Sequence, residues 1–149
     1  MDLILWRHAD AEPARAGQSD LERALTDKGE RQARRVAKWL QEALPAGTRI
    51  IASPAMRTQQ TAQALGREFE TVAGVAPDVS ADQLLRAAGW PHAREAVLVV
   101  GHQPTLGEAA ARVMTGVPQL WAIKKGAVWW LRSGDDGVQL VTVRSPDDV

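Results

Sequence analysis

The sequence predicts an α/β domain built as a three-layer α/β/α sandwich, in which helices cover both faces of a mixed, mostly parallel sheet. Short apolar runs alternate with segments of helical spacing between residues 2 and 114, which is the pattern of strands joined by crossover helices. Two β-favouring segments around a turn follow and predict a closing hairpin. The length of 149 residues is close to that of one domain, so residues 1–149 are expected to share one core.

The first predicted unit is a buried strand followed by an amphipathic helix. Residues 2–6 form an apolar run that stops at Arg7 and His8, as expected where a strand ends in a polar loop. Thr26 can cap a helix whose apolar residues recur every three or four positions. Pro45 ends that helix.

A second unit follows the same plan. Residues 49–52 predict a strand, and Ala62, Leu65 and Phe69 mark the apolar face of a helix. Residues 72–76 predict a weak third strand. Together with the first unit, these segments give a βαβα arrangement.

The second half of the chain predicts the rest of the sheet. Leu84 lies in a short helix, and residues 96–100 form the clearest buried strand of the chain. Pro104 stands near the first position of the next helix, where proline is favoured. Residues 120–132 and 138–144 are predicted to pair as the closing hairpin.

Composition and charge exclude several classes of function. The 18 Lys and Arg residues equal the 18 Asp and Glu residues, so the chain lacks the broad positive field that binds nucleic acids or anionic membranes. The absence of cysteine excludes disulfides, thiolate metal sites and a cysteine nucleophile. No apolar run approaches the ~18 residues that span a bilayer, and no signal-peptide pattern is present. We therefore expect a cytoplasmic protein in which any anion site is local.

Charged and titratable side chains follow three of the predicted strands. Arg7 and His8 come after the first strand, and Arg57 lies shortly after the second. His102 follows the most apolar strand. In open α/β sheets, functional residues gather beyond the carboxyl ends of the strands. Two guanidinium groups suit phosphate oxygens, and the helix that starts at Pro104 points free N–H groups at the same edge. The sequence therefore predicts an anion pocket.

A histidine among arginines is expected to have a lowered pKa, because nearby positive charge disfavours the imidazolium. A neutral imidazole nitrogen is a nucleophile towards phosphorus, so covalent phosphohistidine chemistry is possible at this edge. A single histidine after a strand is more often an ordinary loop residue. The prediction therefore depends on two histidines and two arginines occurring together.

Four segments, in order, resemble the signature of the histidine phosphatase superfamily. Arg7-His8 resembles its Arg-His pair after the first strand, and residues 25–29 (LTDKG) resemble its Leu-Thr-x-x-Gly. Residues 53–62 (SPAMRTQQTA) resemble its Ser-Pro-x-x-Arg-x-x-Gln-Thr-Ala, and residues 101–104 (GHQP) complete the set. The resemblance implies a phosphoglycerate mutase-like fold. Ala9 stands where most of the family has glycine, and we expect this small methyl group to be tolerated.

Within the superfamily, the chain is most similar to the SixA type of small phosphohistidine phosphatases. The chain is short, Arg23 precedes the Leu-Thr motif, and the third and fourth motifs are too close to hold the lid insertions of the mutases and sugar bisphosphatases. The resemblance implies that His8 is the nucleophile. It also implies that Arg7, Arg57 and His102 bind the transferred phosphoryl group, and that no metal or organic cofactor is used.

Four further residues are candidates for binding the substrate. Asp10 can orient a catalytic group or a water molecule, although a loop aspartate is more often a turn or cap residue. Arg23 can reach an anionic substrate, although an exposed arginine is usually solvated. Gln103 belongs to the fourth motif. Ser53 can donate to the phosphate or cap the following helix, and capping is the preferred interpretation.

Other residues are assigned no function. The three histidines lack metal-ligand spacing, so His92 is not a candidate ligand. Lys124 and Lys125 are interpreted as a solvated pair. Trp129 and Trp130 are adjacent in a strand, so they are expected to face opposite sides of the sheet and pack under the two helical layers.

The expected activity is the metal-independent removal of a phosphoryl group from phosphohistidine in a protein. Two alternatives stay open, namely a phosphomonoesterase for a small metabolite and a non-catalytic phosphoprotein-binding module. An alkyl phosphate normally needs a general acid, and no carboxylate is assigned that role, although Asp78 and Asp82 lie near the predicted third strand. We expect a monomer whose partner is a phosphohistidine protein, with no nucleic-acid or membrane partner.

Overall fold

Four strands alternate with four helices along the chain, and two further strands form a closing hairpin. The computed structural model describes all 149 residues. The strands are Asp2–Arg7 (β1), Arg49–Ala52 (β2), Glu70–Thr71 (β3), Val97–Gly101 (β4), Val128–Gly134 (β5) and Gly137–Arg144 (β6). The helices are Asp27–Ala43 (α1), Met56–Gln63 (α2), Ala81–Ala88 (α3) and Thr105–Thr115 (α4). None of these helices is long and apolar enough to cross a lipid bilayer.

All six strands belong to one sheet with the order β3-β2-β4-β1-β5-β6. Strands β1 to β4 are parallel to their neighbours within this group, whereas β5 and β6 are antiparallel at one side. The predicted mixed, mostly parallel sheet is therefore confirmed. Because β4 lies between β1 and β2, the carboxyl ends of these three strands meet at one edge.

The alternation of side chains along β1 divides the core into two layers. Leu3 and Leu5 pack with buried residues of α3 and α4, whereas Ile4 and Trp6 pack with buried residues of α1 and α2. Successive side chains of a strand point to opposite faces, so an uninterrupted apolar run needs cover on both sides. The helices supply that cover, which confirms the predicted α/β/α sandwich.

Two adjacent tryptophans of β5 follow the same alternation. Trp130 packs edge-on against Trp39, with 6.3 Å between ring centroids, and Trp129 packs against Trp121 on the other face at 6.1 Å. Trp130 Nε1 donates a hydrogen bond to Asp2 Oδ2 at 3.1 Å, so its polar group is satisfied. The predicted placement of the pair on opposite faces of the sheet is confirmed, although Trp39 belongs to a helix, α1, whereas Trp121 lies in the loop between α4 and β5.

The second predicted helix is shorter than expected. It ends at Gln63, so Leu65 and Phe69 lie beyond it. Gly66 takes a left-handed backbone conformation with φ 69°, and such a residue commonly follows the end of a helix. Leu65 is nevertheless buried in the layer that contains α1 and α2.

The predicted strand at 72–76 is wrong in position. The third strand consists of Glu70–Thr71 and pairs with β2. Residues 73–75 instead form a 3-10 turn, in which Val75 N–H donates to Val72 O at 3.2 Å. The chain therefore turns away from the sheet within the segment that was predicted to extend it.

The predicted strand over 120–132 is correct only from Val128 onwards. Two carbonyl groups before that point bind side chains rather than a neighbouring strand. Ile123 O accepts from Arg7 at 2.8 Å, and Trp121 O accepts from Gln103 at 2.8 Å. Backbone bonding to β1 begins only at residues 126–127, where Gly126 N–H donates to Arg7 O at 3.1 Å and Ala127 O accepts from Arg7 N–H at 3.0 Å.

The start of α1 packs closely on the loop that follows β1. Thr26 caps the helix as predicted, because its Oγ1 accepts from Gly29 N–H at 2.9 Å. Thr26 N–H donates to Asp10 O at 3.0 Å. A Cβ atom at position 29 would overlap the same Asp10 oxygen, so glycine permits this close approach.

We predict that Gly29→Ala lowers the free energy of unfolding by about 2 kcal/mol. Overpacking costs up to about 3 kcal/mol, of which the better helix propensity of alanine offsets about 1 kcal/mol. Urea unfolding measures the change. The matched control is Gly134→Ala, because a Cβ atom at that position has no neighbour within 4 Å. Equal free energies of unfolding for the two variants would contradict the close approach.

Candidate active site

Polar residues follow three neighbouring parallel strands at the same edge of the sheet. His8 follows β1, Ser53 follows β2 and His102 follows β4. His8 N–H donates to Gly101 O, and Ser53 N–H donates to Val100 O, both at 3.1 Å. Backbone pairing thus continues one residue beyond the ends of β1 and β2. The ring centroids of His8 and His102 lie 5.4 Å apart as a result.

A polar cavity of about 280 Å³ opens at this edge. The four residues predicted to carry the chemistry lie together in its wall, and so do Arg23 and Gln103. The full lining consists of Arg7, His8, Asp20, Arg23, Arg57, Pro77, Asp78, His102, Gln103 and Lys125. Four of these side chains are cations and two are carboxylates, so the wall carries a net positive charge when its histidines are neutral.

Two arginines reach the cavity from different elements. Arg57 lies in the first turn of α2, and its side chain is only 6% exposed. Its Nη1 and Nη2 donate to Asp20 O and Asp20 Oδ2 at 2.9 and 3.0 Å. The Nε atoms of Arg57 and Arg7 are buried without a hydrogen-bond partner. Unpaired buried donors are rare and call for an explanation. An anionic ligand bound in this cavity would supply the missing hydrogen-bond acceptors.

The imidazole of His8 is held neutral, with one nitrogen free. His8 Nδ1 lies 2.8 Å from Ala9 O, and because a carbonyl oxygen only accepts, Nδ1 carries the proton and Nε2 keeps its lone pair. Burial lowers the pKa of His8 to about 4, with a smaller effect from Arg57 and Arg7. The lowered pKa is confirmed, but burial rather than arginine charge is its main cause.

The second histidine is fixed by a buried serine. His102 Nε2 lies 2.7 Å from Ser53 Oγ, and its Nδ1 is buried without a partner. Burial, followed by the charge of Arg57, lowers the pKa of His102 to about 3. The N-cap of α2 is Ala55, so the preferred interpretation of Ser53 as a helix cap is wrong. Pro54 separates Ser53 from the helix start, and the Ser53 hydroxyl contacts both His102 and the backbone N–H of Ala55, from which it accepts at 3.2 Å.

Asp10 is not brought to the cavity. Its Oδ2 accepts from the Thr26 hydroxyl at 2.8 Å, and its Oδ1 lies 3.2 Å from Lys125 Nζ. The Thr26 hydrogen bond is the largest cause that lowers the pKa of Asp10. Both carboxylate oxygens therefore hold neighbouring segments together, away from the predicted catalytic position.

Gln103 lines the cavity, but its amide group serves the fold. Its Nε2 donates to Trp121 O at 2.8 Å, and its Oε1 accepts from Gly107 N–H at 2.7 Å. Leu106 N–H donates to His102 O at 2.9 Å. These two N–H groups of the first turn of α4 are thus satisfied internally, so the prediction of N–H groups free for an anion does not hold for Leu106 and Gly107.

Sequence reasoning missed Asp20 and misjudged Lys125. Asp20 contacts both Arg57 and Arg23 at 3.0 Å, and the hydrogen bond from Arg23 is the largest cause that lowers the pKa of Asp20. Its position three residues before Arg23 was the only local signal. Lys125 lines the cavity and pairs with Asp10, rather than pointing freely into solvent.

The two loop carboxylates near β3 separate in the structure. Asp78 lines the cavity, whereas Asp82 pairs with Arg112 at 3.4 Å and is not part of the wall. No group of three or more His, Cys, Asp or Glu side chains is arranged to hold a metal ion.

A family model and a relative both match this chain. The model of the histidine phosphatase superfamily (branch 1) matches residues 3–90, a span that contains the β1 and α2 motifs. An uncharacterized protein of Picosynechococcus sp. is 35% identical over 150 aligned residues, which cover 95% of this chain and 91% of the relative.

Solved structures share the fold over nearly the whole chain. A protein assigned as phosphohistidine phosphatase SixA from Nakamurella multipartitia is 29% identical, with a TM-score of 0.79 and coverage of 97% and 95% of the two chains. Protein histidine phosphatase SixA complexed with tungstate is 24% identical, with a TM-score of 0.79 and coverage of 99% and 98%. Phosphoserine phosphatase from Entamoeba histolytica, in complex with phosphoserine, is 16% identical, with a TM-score of 0.74 and coverage of 99% and 98%.

We predict that the free energy of unfolding falls as the pH is lowered from about 6.5 towards 4. His8 and His102 stay neutral in the folded protein down to pKa values of about 4 and 3, but they take up protons near pH 6.5 when unfolded. The unfolded state therefore binds more protons in this window, and acid favours it. The expected loss is on the order of 2 kcal/mol for each histidine.

Urea unfolding at about pH 7.5 and about pH 4.5 measures this loss. His8→Asn should lose less stability on acidification than the wild type. The matched control is His92→Asn, at an exposed position, which should lose as much as the wild type. An equal loss in the wild type and in His8→Asn would contradict the neutral, buried state of His8.

Proposed function

The chain belongs to the histidine phosphatase superfamily, and from this membership we propose that it removes phosphoryl groups from phosphohistidine in proteins. The observation that carries the proposal is the neutral His8 ring, whose Nε2 lone pair faces a cavity lined by Arg7, Arg57 and His102. A nucleophile and a set of cationic or polar donors in one cavity fit the transfer of an anionic group.

In the proposed first step, His8 Nε2 attacks the phosphorus atom of the substrate. A P–N bond forms on Nε2 as the P–N bond to the substrate imidazole breaks, and the departing ring leaves as neutral imidazole because its other nitrogen carries a proton. In the second step, a water molecule attacks the phosphorus of phospho-His8. The P–N bond breaks, inorganic phosphate leaves, and His8 returns to its neutral form.

The cavity wall contains donors that can stabilise the negative charge of the transferred phosphoryl group. Arg7 and Arg57 each keep a buried Nε–H without a partner, and His102 keeps a buried Nδ1 without one. We propose that these atoms contact the phosphoryl oxygens. Positioned donors of this kind cost no reorganisation when charge develops in the transition state. Arg23 also lies in the wall, and we propose that it contacts the same group.

Two features favour a phosphoramidate over an alkyl phosphate. An alkoxide leaving group normally needs a placed general acid, whereas a protonated imidazole leaves readily. Asp20, one of the two carboxylates in the wall, is tied to Arg23 and Arg57 and has a lowered pKa, which makes it a poor proton donor. The cavity wall also lacks a long inserted lid, so a protein side chain can enter.

A small-molecule phosphomonoesterase is the second candidate. Asp78 is the other carboxylate in the wall, and the arginine ion pairs of the wall go to Asp20 rather than to Asp78. A carboxyl group of that kind can protonate an alkoxide leaving group. The phosphoserine phosphatase with the same fold shows that this architecture accommodates phosphate esters in another protein.

We predict that His8→Ala lowers kcat/KM for a phosphohistidine peptide by roughly 10⁴-fold or more, because it removes the atom that receives the phosphoryl group. Release of inorganic phosphate at neutral pH is the assay, and circular dichroism checks the fold. His92→Ala, at an exposed position outside the cavity, is the matched control and should keep wild-type turnover. Substantial activity in His8→Ala would show that His8 is not the nucleophile.

We also predict that dialysis against EDTA leaves turnover of the same peptide unchanged. Arginine side chains already offset the phosphate charge, and the chain lacks a cluster of side chains that could hold a metal ion. Activity is measured before and after dialysis. A loss that added magnesium or zinc restores would contradict metal-independent catalysis.

The substrate class is tested by a comparison of rates. We predict that kcat/KM for a phosphohistidine protein or peptide exceeds that for sugar phosphates by on the order of 10²-fold, the contribution typical of one general acid. Asp78→Asn should leave this ratio unchanged. Comparable hydrolysis of a sugar phosphate, lost in Asp78→Asn, would instead identify a phosphomonoesterase with Asp78 as its acid. Binding of the phosphopeptide without turnover would identify a binding module.

A further inference from the structure

A carboxylate of the protein itself already binds the arginines that line the cavity. Asp20 Oδ2 lies 3.0 Å from Arg57 Nη2, and Asp20 Oδ1 lies 3.0 Å from Arg23 Nη1. Two oxygens of one anionic group thus span two guanidinium groups. Phosphate oxygens make the same kind of charge-assisted contact with arginine.

The ion pair between Asp20 and Arg57 joins an exposed side chain to a buried one. The Arg57 side chain is 6% exposed, whereas the Asp20 side chain is 55% exposed. Arg57 Nη1 also bonds the backbone oxygen of Asp20 at 2.9 Å, and that bond does not depend on the carboxylate. Rotation of the Asp20 side chain towards solvent would therefore release Arg57 Nη2 while the backbone bond keeps the guanidinium in place.

We propose that Asp20 is a specificity-determining residue, because its carboxylate competes with the phosphoryl group for Arg57 and Arg23. This inference rests on the proposed function of the cavity as a phosphoryl site. The Nε–H of Arg57 is free for a ligand, but a ligand that also binds Nη2 of Arg57 or Nη1 of Arg23 must first displace the Asp20 side chain from them. Each phosphoryl ligand therefore binds more weakly than the cationic wall alone would allow.

The competition affects small and large ligands differently. Inorganic phosphate and small phosphate esters have little besides the phosphoryl group with which to displace a carboxylate. A protein substrate can add contacts outside the cavity, and such contacts contribute binding free energy that Asp20 does not oppose. Asp20 thus disfavours small phosphate ligands and promotes the release of inorganic phosphate after hydrolysis.

The test measures the dissociation constant of inorganic phosphate by a protein NMR titration at neutral pH and low salt. Asp20→Asn keeps the shape and the backbone contact of Asp20 but removes the charge. Asp78→Asn is the matched control, because it removes the same charge from the same wall without an arginine contact. Asp20→Ala is a second variant in case Asp20→Asn does not fold, and circular dichroism checks each protein.

We expect Asp20→Asn to bind phosphate about tenfold more tightly than the wild type, the change that corresponds to about one charge-assisted hydrogen bond. Asp78→Asn should change the constant by about threefold or less, as an unpaired charge screened by solvent would. Unchanged or weaker binding in Asp20→Asn would overturn the proposal and would mean that Asp20 only positions Arg57. An equal gain in both variants would also overturn it.

A second readout is the preference between substrates. In Asp20→Asn, kcat/KM for an aryl phosphate should rise by a larger factor than kcat/KM for a phosphohistidine protein, and an equal rise would count against competition. The phosphate titration needs no turnover. Tighter phosphate binding in Asp20→Asn, together with no hydrolysis of phosphohistidine by the wild type, would therefore reject the proposed substrate while supporting the role of Asp20.

Discussion

The parallel pairing of β1 with β4 is the constraint on which the cavity depends. The register places Arg7 beside Gly101, and the hydrogen bond from His8 N–H to Gly101 O extends it to the first loop residue. His8 and His102 therefore face each other although they are far apart in the chain. Strand β2 pairs with the other side of β4 and adds Ser53 at the same edge. Local loop conformation alone could not hold Ser53 Oγ at 2.7 Å from His102 Nε2.

The positive charge at this edge of the sheet is a local feature that the net charge of the chain does not show. The chain has no net charge, yet three arginines and a lysine line one cavity. Internal carboxylates offset part of this charge, with Asp20 on Arg23 and Arg57, and Asp10 on Lys125. The buried histidines stay neutral because desolvation and the arginines both disfavour the imidazolium. The cations of the wall are therefore only partly neutralised, as the anionic ligand of the proposed function requires.

The sequence predicted well where a property depends on neighbouring residues. The apolar runs that became β1 and β4, the Thr26 cap and the opposite faces of Trp129 and Trp130 all depend on local spacing or alternation. The ends of β1 and β4 then placed Arg7 and the two histidines at one edge, and α2 added Arg57 after β2, because functional residues of open α/β sheets gather beyond the carboxyl ends of the strands.

The failures concern bonds between distant segments. The segment before Val128 was predicted as strand, but the carbonyl groups of Trp121 and Ile123 are bound by the side chains of Gln103 and Arg7, which no pattern within that segment reveals. Ser53 bonds His102 across 49 positions, and Asp20 bonds Arg57 across 37. Secondary-structure propensity predicts poorly where a side chain from a distant segment bonds the backbone or pairs with a charged residue.

The central claim is that neutral His8 receives the phosphoryl group on Nε2, because Nδ1 is engaged by Ala9 O. The most direct measurement is to quench the reaction with a phosphohistidine peptide within milliseconds, at alkaline pH where phosphohistidine survives. Mass spectrometry then locates the phosphate, and phosphorus NMR distinguishes the two ring isomers. A nucleophilic His8 predicts phosphate on His8, attached to Nε2. Phosphate on Nδ1 of His8, on His102, or on no residue of a protein that is turning over substrate would contradict it.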